Sequence, residues 1–161
     1  MMHAMRRVHA GAACLVALAV WAGGPRADAA TPAPAAVVAT PAPPHVTVEL
    51  SRAVEAARRR FEARDLAGVL AAVSEQYRSG GLTKAAVREQ LAAMFAVYQR
   101  LRARVRIERV ELVDALARVH TSGEVDGWLP VVGWVTVLAW QGEPEVARQE
   151  PAGWRLFGFQ D

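Results

Sequence analysis

The chain has 161 residues, 53% of them hydrophobic and 22% charged, with a formal net charge of +3, one cysteine and four histidines. That length suits one domain with additions. A single cysteine excludes an internal disulfide framework and a thiolate metal centre, and so small a net charge gives no global case for nucleic-acid binding.

The first residues read as a leader. A short basic start with Arg6 and Arg7 precedes an apolar run from Ala10 to Ala22, and Ala27-Asp28-Ala29 then places small residues where a signal peptidase reads. The run is shorter than the roughly 20 residues a membrane-spanning helix needs. The expectation is a signal peptide over 1–29, hence a periplasmic or secreted protein without stable membrane insertion. Cys14 lies inside the run rather than at its end, which does not suit a lipid-modified cysteine. Removing the leader takes away Arg6, Arg7, Arg26 and Asp28 and leaves a net charge of about +1. Residues 30–45 are rich in proline and alanine and read as a tether, because proline favours an extended chain and donates no backbone hydrogen bond.

The domain is expected over 46–161. Leu50, Ala53, Val54, Ala57 and Phe61 mark the apolar face of a first helix, and Arg58, Arg59 and Arg60 fan around its circumference as a solvated group. Asp65 interrupts the pattern, and Leu66, Val69, Leu70 and Val73 make a short second helix. A polar connection from Ser74 ends at Gly80-Gly81. The stretch from Leu82 to Leu101 is the organising helix: Val87, Leu91, Met94, Phe95, Tyr98 and Leu101 recur at helical spacing, with Thr83 as N-cap.

From Ala103 the period changes to two. Val105 and Ile107 share one face, then the apolar set shifts to Val110 and Leu112, a slip near Arg109 that a β-bulge would produce. Ala117, Val119, Thr121, Gly123 and Val125 form one face of the next strand, opposite Arg118, His120, Ser122, Glu124 and Asp126. The segment 131–140 is apolar on both faces and suits a central strand; residues 141–144 read as a turn, 145–150 as a short strand, and 154–159 as the last strand. Helices followed by strands indicate an α+β class: three N-terminal helices packed in a curved antiparallel sheet of about four to five strands.

This order resembles the nuclear transport factor 2-like superfamily, also called cystatin-like. The residues that carry the resemblance are Asp65-Leu66-Ala67-Gly68-Val69-Leu70 leading to Ser74-Glu75-Gln76-Tyr77-Arg78, then the long third helix, then strands closing with Gly153-Trp154-Arg155-Leu156. The resemblance implies a cone: a sheet wrapped around the long helix, holding a small molecule or pairing through the sheet as a homodimer. Members include ketosteroid isomerase-like enzymes, polyketide cyclases, dehydratases and non-enzymatic exported proteins.

The isomerase-like arrangement of an acidic base with a tyrosine and a second acid has no counterpart here by position. Glu108, Glu124 and Asp126 fall in the polar alternation set, and the apolar face of 117–125 offers only Thr121. A one-residue register error near Arg109 would turn Glu108 or Glu111 inward, which keeps an acid–base enzyme as the alternative. His120 reads as an exposed strand histidine, and with His45 it cannot make an all-histidine metal site. No cofactor, metal or catalytic set is expected. The candidate ligand-contacting residues at the pocket or its mouth are Tyr77, Phe95, Tyr98, Trp128 and Trp134; Trp128 is read as lying in a Gly127–Pro130 turn between strands, where an aromatic is open to contacts, and Trp134 as lying in the strand that follows. Arg100, Arg102, Arg104 and Arg106 form an alternating basic stripe suited either to solvent or to an acidic partner, a lipid headgroup or a cell-wall polymer. The reading that follows is an exported binding or scaffold cone for a small apolar or amphipathic ligand or a protein partner.

Overall fold

The computed structural model describes residues 39–160. The expected leader and residues 30–38 of the Pro/Ala-rich segment lie outside them. The elements run β1 (Thr40–Pro41), α1 (Pro44–Glu62), α2 (Leu66–Ala71), β2 (Arg78–Ser79), β3 (Leu82–Thr83), α3 (Lys84–Val97), β4 (Arg100–Val113), β5 (Leu116–Leu129), β6 (Gly133–Glu150) and β7 (Gly153–Leu156). A five-stranded sheet in the order β1-β4-β5-β6-β7 carries the helices on one face, and β2 and β3 make a small separate hairpin. The α+β expectation holds.

Each helix starts where its sequence provides a stop for the preceding chain. Pro44 opens α1 at a position where a missing N–H costs nothing. Asp65, read as an interruption, is the N-cap of α2: its carboxylate accepts from the Gly68 N–H at 2.9 Å. Thr83 caps α3 by accepting from Ala86 N–H at 3.3 Å. Helix α3 is shorter than the organising helix expected over 82–101. It ends at Val97 because Tyr98 is extended, and the Gln99 N–H then donates to the Trp128 carbonyl at 3.1 Å.

The core has two parts. Phe61, Val69, Val73, Tyr77, Val87, Leu91, Met94 and Phe95 from the helical half meet Leu101, Ala103, Val125 and Trp140 of the sheet. Val46 and Leu50 at the start of α1 meet Val110, Ala117, Val119 and Ala147 farther along the sheet. The slip expected near Arg109 is a register shift between Ile107 and Arg109.

Two further expectations are corrected. Thr40 and Pro41, inside the segment read as a tether, pair with Leu112 and Glu111 as an edge strand, a place where proline's missing donor is tolerated. Residues 141–144 are not a turn: β6 runs through them as one strand of 18 residues. The Gln141-Gly142 pair is accommodated as a bulge, since Thr121 pairs with Glu143 and Gly123 with Trp140, which leaves only Ser122 opposite both residues. Gly142 takes φ 66°, and its N–H is received by the Ser122 hydroxyl at 2.9 Å.

Gly123 sits beside this bulge, where a β-carbon would lie 2.2 Å from the Arg104 carbonyl oxygen and 2.6 Å from the Trp140 ring. Gly123→Ala is expected to cost about 1–3 kcal/mol by overpacking. A thermal melt checks this: an unchanged midpoint would show that β4 and Trp140 are not locked together there.

Candidate functional site

The bulge decides what faces the inside of the sheet. In a regular strand Trp140 would be followed on the same face by residues 142, 144 and 146. With two residues accommodated opposite one, the inner face continues instead through Glu143, Glu145 and Ala147, directly across from Thr121, Val119 and Ala117. A carboxylate is thereby carried to the concave side.

Glu145 is 4% exposed. It lines a cavity of about 70 Å³, room for about two waters. The walls are mostly apolar, with Leu50, Val54 and Ala57 from α1, Val69 from α2, Val119 from β5 and Leu156 from β7; Thr121 and Arg155 are the other polar residues that line it. The Oε2 atom of Glu145 is buried and has no hydrogen-bond partner among the described residues. Burial pushes the Glu145 carboxyl well above the usual carboxylate range, and the negative charge of Glu143 adds to the effect. Thr121 also lines the cavity, and its hydroxyl accepts from Trp140 Nε1–H at 3.1 Å.

Two neighbouring devices shape the cavity. Trp154 of β7 lines it and donates through Nε1–H to Glu49 of α1 at 3.0 Å, tying the sheet edge to the helix; Ala53, Val54 and Arg155 are only half-buried on this side. On the other flank the segment after α2 is sewn to the sheet. Ser74 N–H donates to Leu156 O at 2.8 Å, and the Ser74 hydroxyl donates to Glu150 at 2.6 Å. Ser74 and Arg148 hold the Glu150 carboxyl below the usual range, and the Arg148 guanidinium lies 4.1 Å from the Phe157 ring centre.

The residues singled out from the sequence are placed elsewhere. Tyr77 and Phe95 are buried in the main core. Tyr98 is half-buried and packs over Gly127, where its ring leaves no room for a β-carbon. Trp128 and Trp134 pair across β5 and β6 on the outer face of the sheet, under Arg100 and Arg102. None of these five lines the Glu145 cavity. Glu108 and Glu111, the acids a register slip would have turned inward, stay on the outer face: Glu108 accepts from Ser122 at 2.6 Å and Glu111 pairs with Arg109 at 3.1 Å. His120 sits there too, 3.1 Å from Arg109. Among the described residues no group of three or more His, Cys, Asp or Glu is placed to hold a metal ion.

The residue that sequence reasoning missed is Glu145. Reading 141–144 as a turn left the face of the following strand unassigned. The available signal was Gly142 within an otherwise strand-like run, which marks a bulge as readily as a turn.

No family model matches the sequence, and no curated protein matches it. Solved structures do. A proposed dehydratase of the NTF2-like family from Streptomyces avermitilis superposes with a TM-score of 0.58 at 14% identity, covering 73% of this chain and 95% of its own. A ketosteroid isomerase-like protein from Erwinia carotovora atroseptica gives 0.52 at 18%, covering 69% and 90%. Bd1075 of Bdellovibrio bacteriovorus gives 0.55 at 12%, where the match covers 69% of this chain but only 39% of that longer one. At these identities the likeness shows the fold, which is nuclear transport factor 2-like.

The raised Glu145 carboxyl has a defined effect on stability. The folded state holds the proton more tightly than the unfolded chain, so Glu145 costs nothing while both states are protonated. It then costs progressively more as pH rises from the unfolded value toward the folded one. Glu145→Gln, which cannot ionise, should melt close to the wild type near about pH 4 and above it near about pH 8. Melting curves across that range check this; a gap that does not widen with pH would mean Glu145 is solvated.

Proposed function

We propose that the protein is an exported small-molecule-binding cone, periplasmic or secreted, whose ligand is largely apolar and carries one polar group that meets Glu145. The observation that carries this reading is the unpartnered Glu145 oxygen at the wall of an apolar cavity. A neutral carboxyl can both donate and accept, so it suits a hydroxyl or carbonyl on the ligand. Apolar walls supply affinity and one convergent polar group supplies orientation. Because the cavity is small, a ring-sized ligand enters by spreading the half-exposed side between α1 and β7.

Phenol and toluene are matched probes, nearly equal in size and differing in the hydroxyl. Titrations followed by amide chemical shifts should show phenol binding about tenfold more tightly, the worth of one hydrogen bond to a group otherwise left unpaired. Glu145→Leu should reverse that preference. Shifts from neither probe, or an unchanged preference in Glu145→Leu, would sink the reading.

A second reading is acid–base catalysis in the same cavity, as an isomerase or dehydratase. It is supported by the raised Glu145 carboxyl, since a base poised near neutral pH needs such an environment, and by the names of two structural neighbours. Glu145 would then remove a proton next to a ligand carbonyl. Deuterium uptake from D₂O into the α-position of cyclohexanone, followed by proton resonance, tests it. Uptake above buffer that Glu145→Gln abolishes carries this reading, and uptake equal in both proteins removes it.

A further inference from the structure

The hairpin joining β5 to β6 lies at a far end of the sheet, and the Glu145 site makes no use of it. Its tip is apolar and bare: Val131 is 97% exposed and Val132 67%. Leu129 and Pro130 precede them. Behind the tip Trp128 and Trp134 stand opposite each other across the two strands, on the face turned away from the helices. Trp134 is 37% exposed. Each tryptophan carries an arginine from β4: the Arg100 guanidinium lies 5.2 Å from the Trp128 ring centre, and that of Arg102 lies 4.1 Å from Trp134.

The charge arrangement is one-sided. Residues 127–142 contain no charged side chain. The first carboxylate is Asp126, directly across from Arg102 in the ladder, yet it is taken by Arg104 at 2.7 Å and by the Thr136 hydroxyl at 3.0 Å. Arg102 turns to the Trp134 ring instead, and among the described residues neither Arg100 nor Arg102 pairs with a carboxylate.

We infer that this hairpin tip is a membrane-contact element that docks the domain on an anionic phospholipid surface. The levels at this end of the sheet suit a bilayer interface: aliphatic side chains outermost, then two tryptophans at headgroup level with two β4 cations stacked on their rings. At about 3.4 Å per residue the tip reaches up to ~10 Å beyond the tryptophan pair, matching the ~5–10 Å depth at which interfacial elements bury their apolar side. A guanidinium stacked on an indole keeps its edge free for phosphate. A protein partner fits less well. A stable interface covers about 800 Å² on each side, whereas a two-valine tip is a narrow projection that lipid chains can surround.

The test is co-sedimentation of the processed protein, residues 30–161, with vesicles of phosphatidylcholine alone or with about one third phosphatidylglycerol, at low and about 0.5 M salt. The expected result is binding to the anionic vesicles at low salt, weaker by tenfold or more on neutral vesicles or at high salt. Val131→Asp with Val132→Asp should reduce binding at least tenfold without moving the melting point, because both side chains are exposed. Arg100→Gln with Arg102→Gln should erase the difference between the two vesicle types. No binding overturns the inference. So does binding that the double aspartate variant retains, since another part of the chain would then hold the lipid. A dimer in light scattering that the aspartate pair dissolves, in a protein that ignores vesicles, assigns the tip to a second copy instead.

Discussion

The bulge at Gln141-Gly142 is the constraint on which the rest depends. Strand alternation is strict, so one additional residue exchanges the two faces of everything beyond it. Here the exchange keeps Trp140 inside on one side of the bulge and brings Glu145 inside on the other. The bulge is held in place from outside the cone. The Ser122 hydroxyl accepts from the Gly142 N–H and donates its own O–H to Glu108, which lies at the register shift of β4. The irregularities of adjacent strands thus share one hydrogen-bonded chain, and the sheet bends where they meet. An inward carboxylate and a curved sheet have the same cause.

The polar residues outside the cone are mostly occupied with each other. Arg104 holds Glu124 and Asp126, and Arg109 lies beside His120 and Glu111. On α1, Arg58 and then Arg59 hold the Glu55 carboxyl at about 2, and Arg58 also reaches Glu62, whose carboxylate accepts from the Ala103 N–H at 2.9 Å. Such exposed pairs are individually worth little. Among the described residues they match much of the exposed charge with an opposite one, whereas Arg100 and Arg102 behind the valine tip stack on tryptophan rings instead.

Much of this was legible in the amino-acid order because it rests on local period. Thr83, Val87, Leu91, Met94 and Phe95 announce the capped, one-sided helix that the structure contains. The alternation at 117–125 gives the inner face of β5, and the slip at Arg109 gives its neighbour's bulge. What could not be read depends on partners distant in the chain. Thr40 and Pro41 become a strand only because Glu111 and Leu112 offer an edge. Gly142 becomes a bulge and not a turn only because β5 is long enough to pair on both sides of it. Trp128 and Trp134 looked like pocket aromatics, but their pairing with Arg100 and Arg102 is a property of register across three strands. The site residue was hidden for the same reason: Glu145 owes its burial to a neighbour's geometry and not to its own flanking sequence.

The two edges of the sheet are closed by the first and last parts of the chain. Helix α1 follows edge strand β1 and reaches across to β7 through Glu49 and Trp154, while Val73 and Ser74 align with Leu156. These contacts span more than half of the described sequence, so the loop-closure cost falls early and the return comes late. During synthesis α1 and α2 have no sheet to cover, and the seam cannot form until residue 156 has emerged. The growing chain is therefore kept from folding from its own beginning, and its helical half waits on the last strand to be closed.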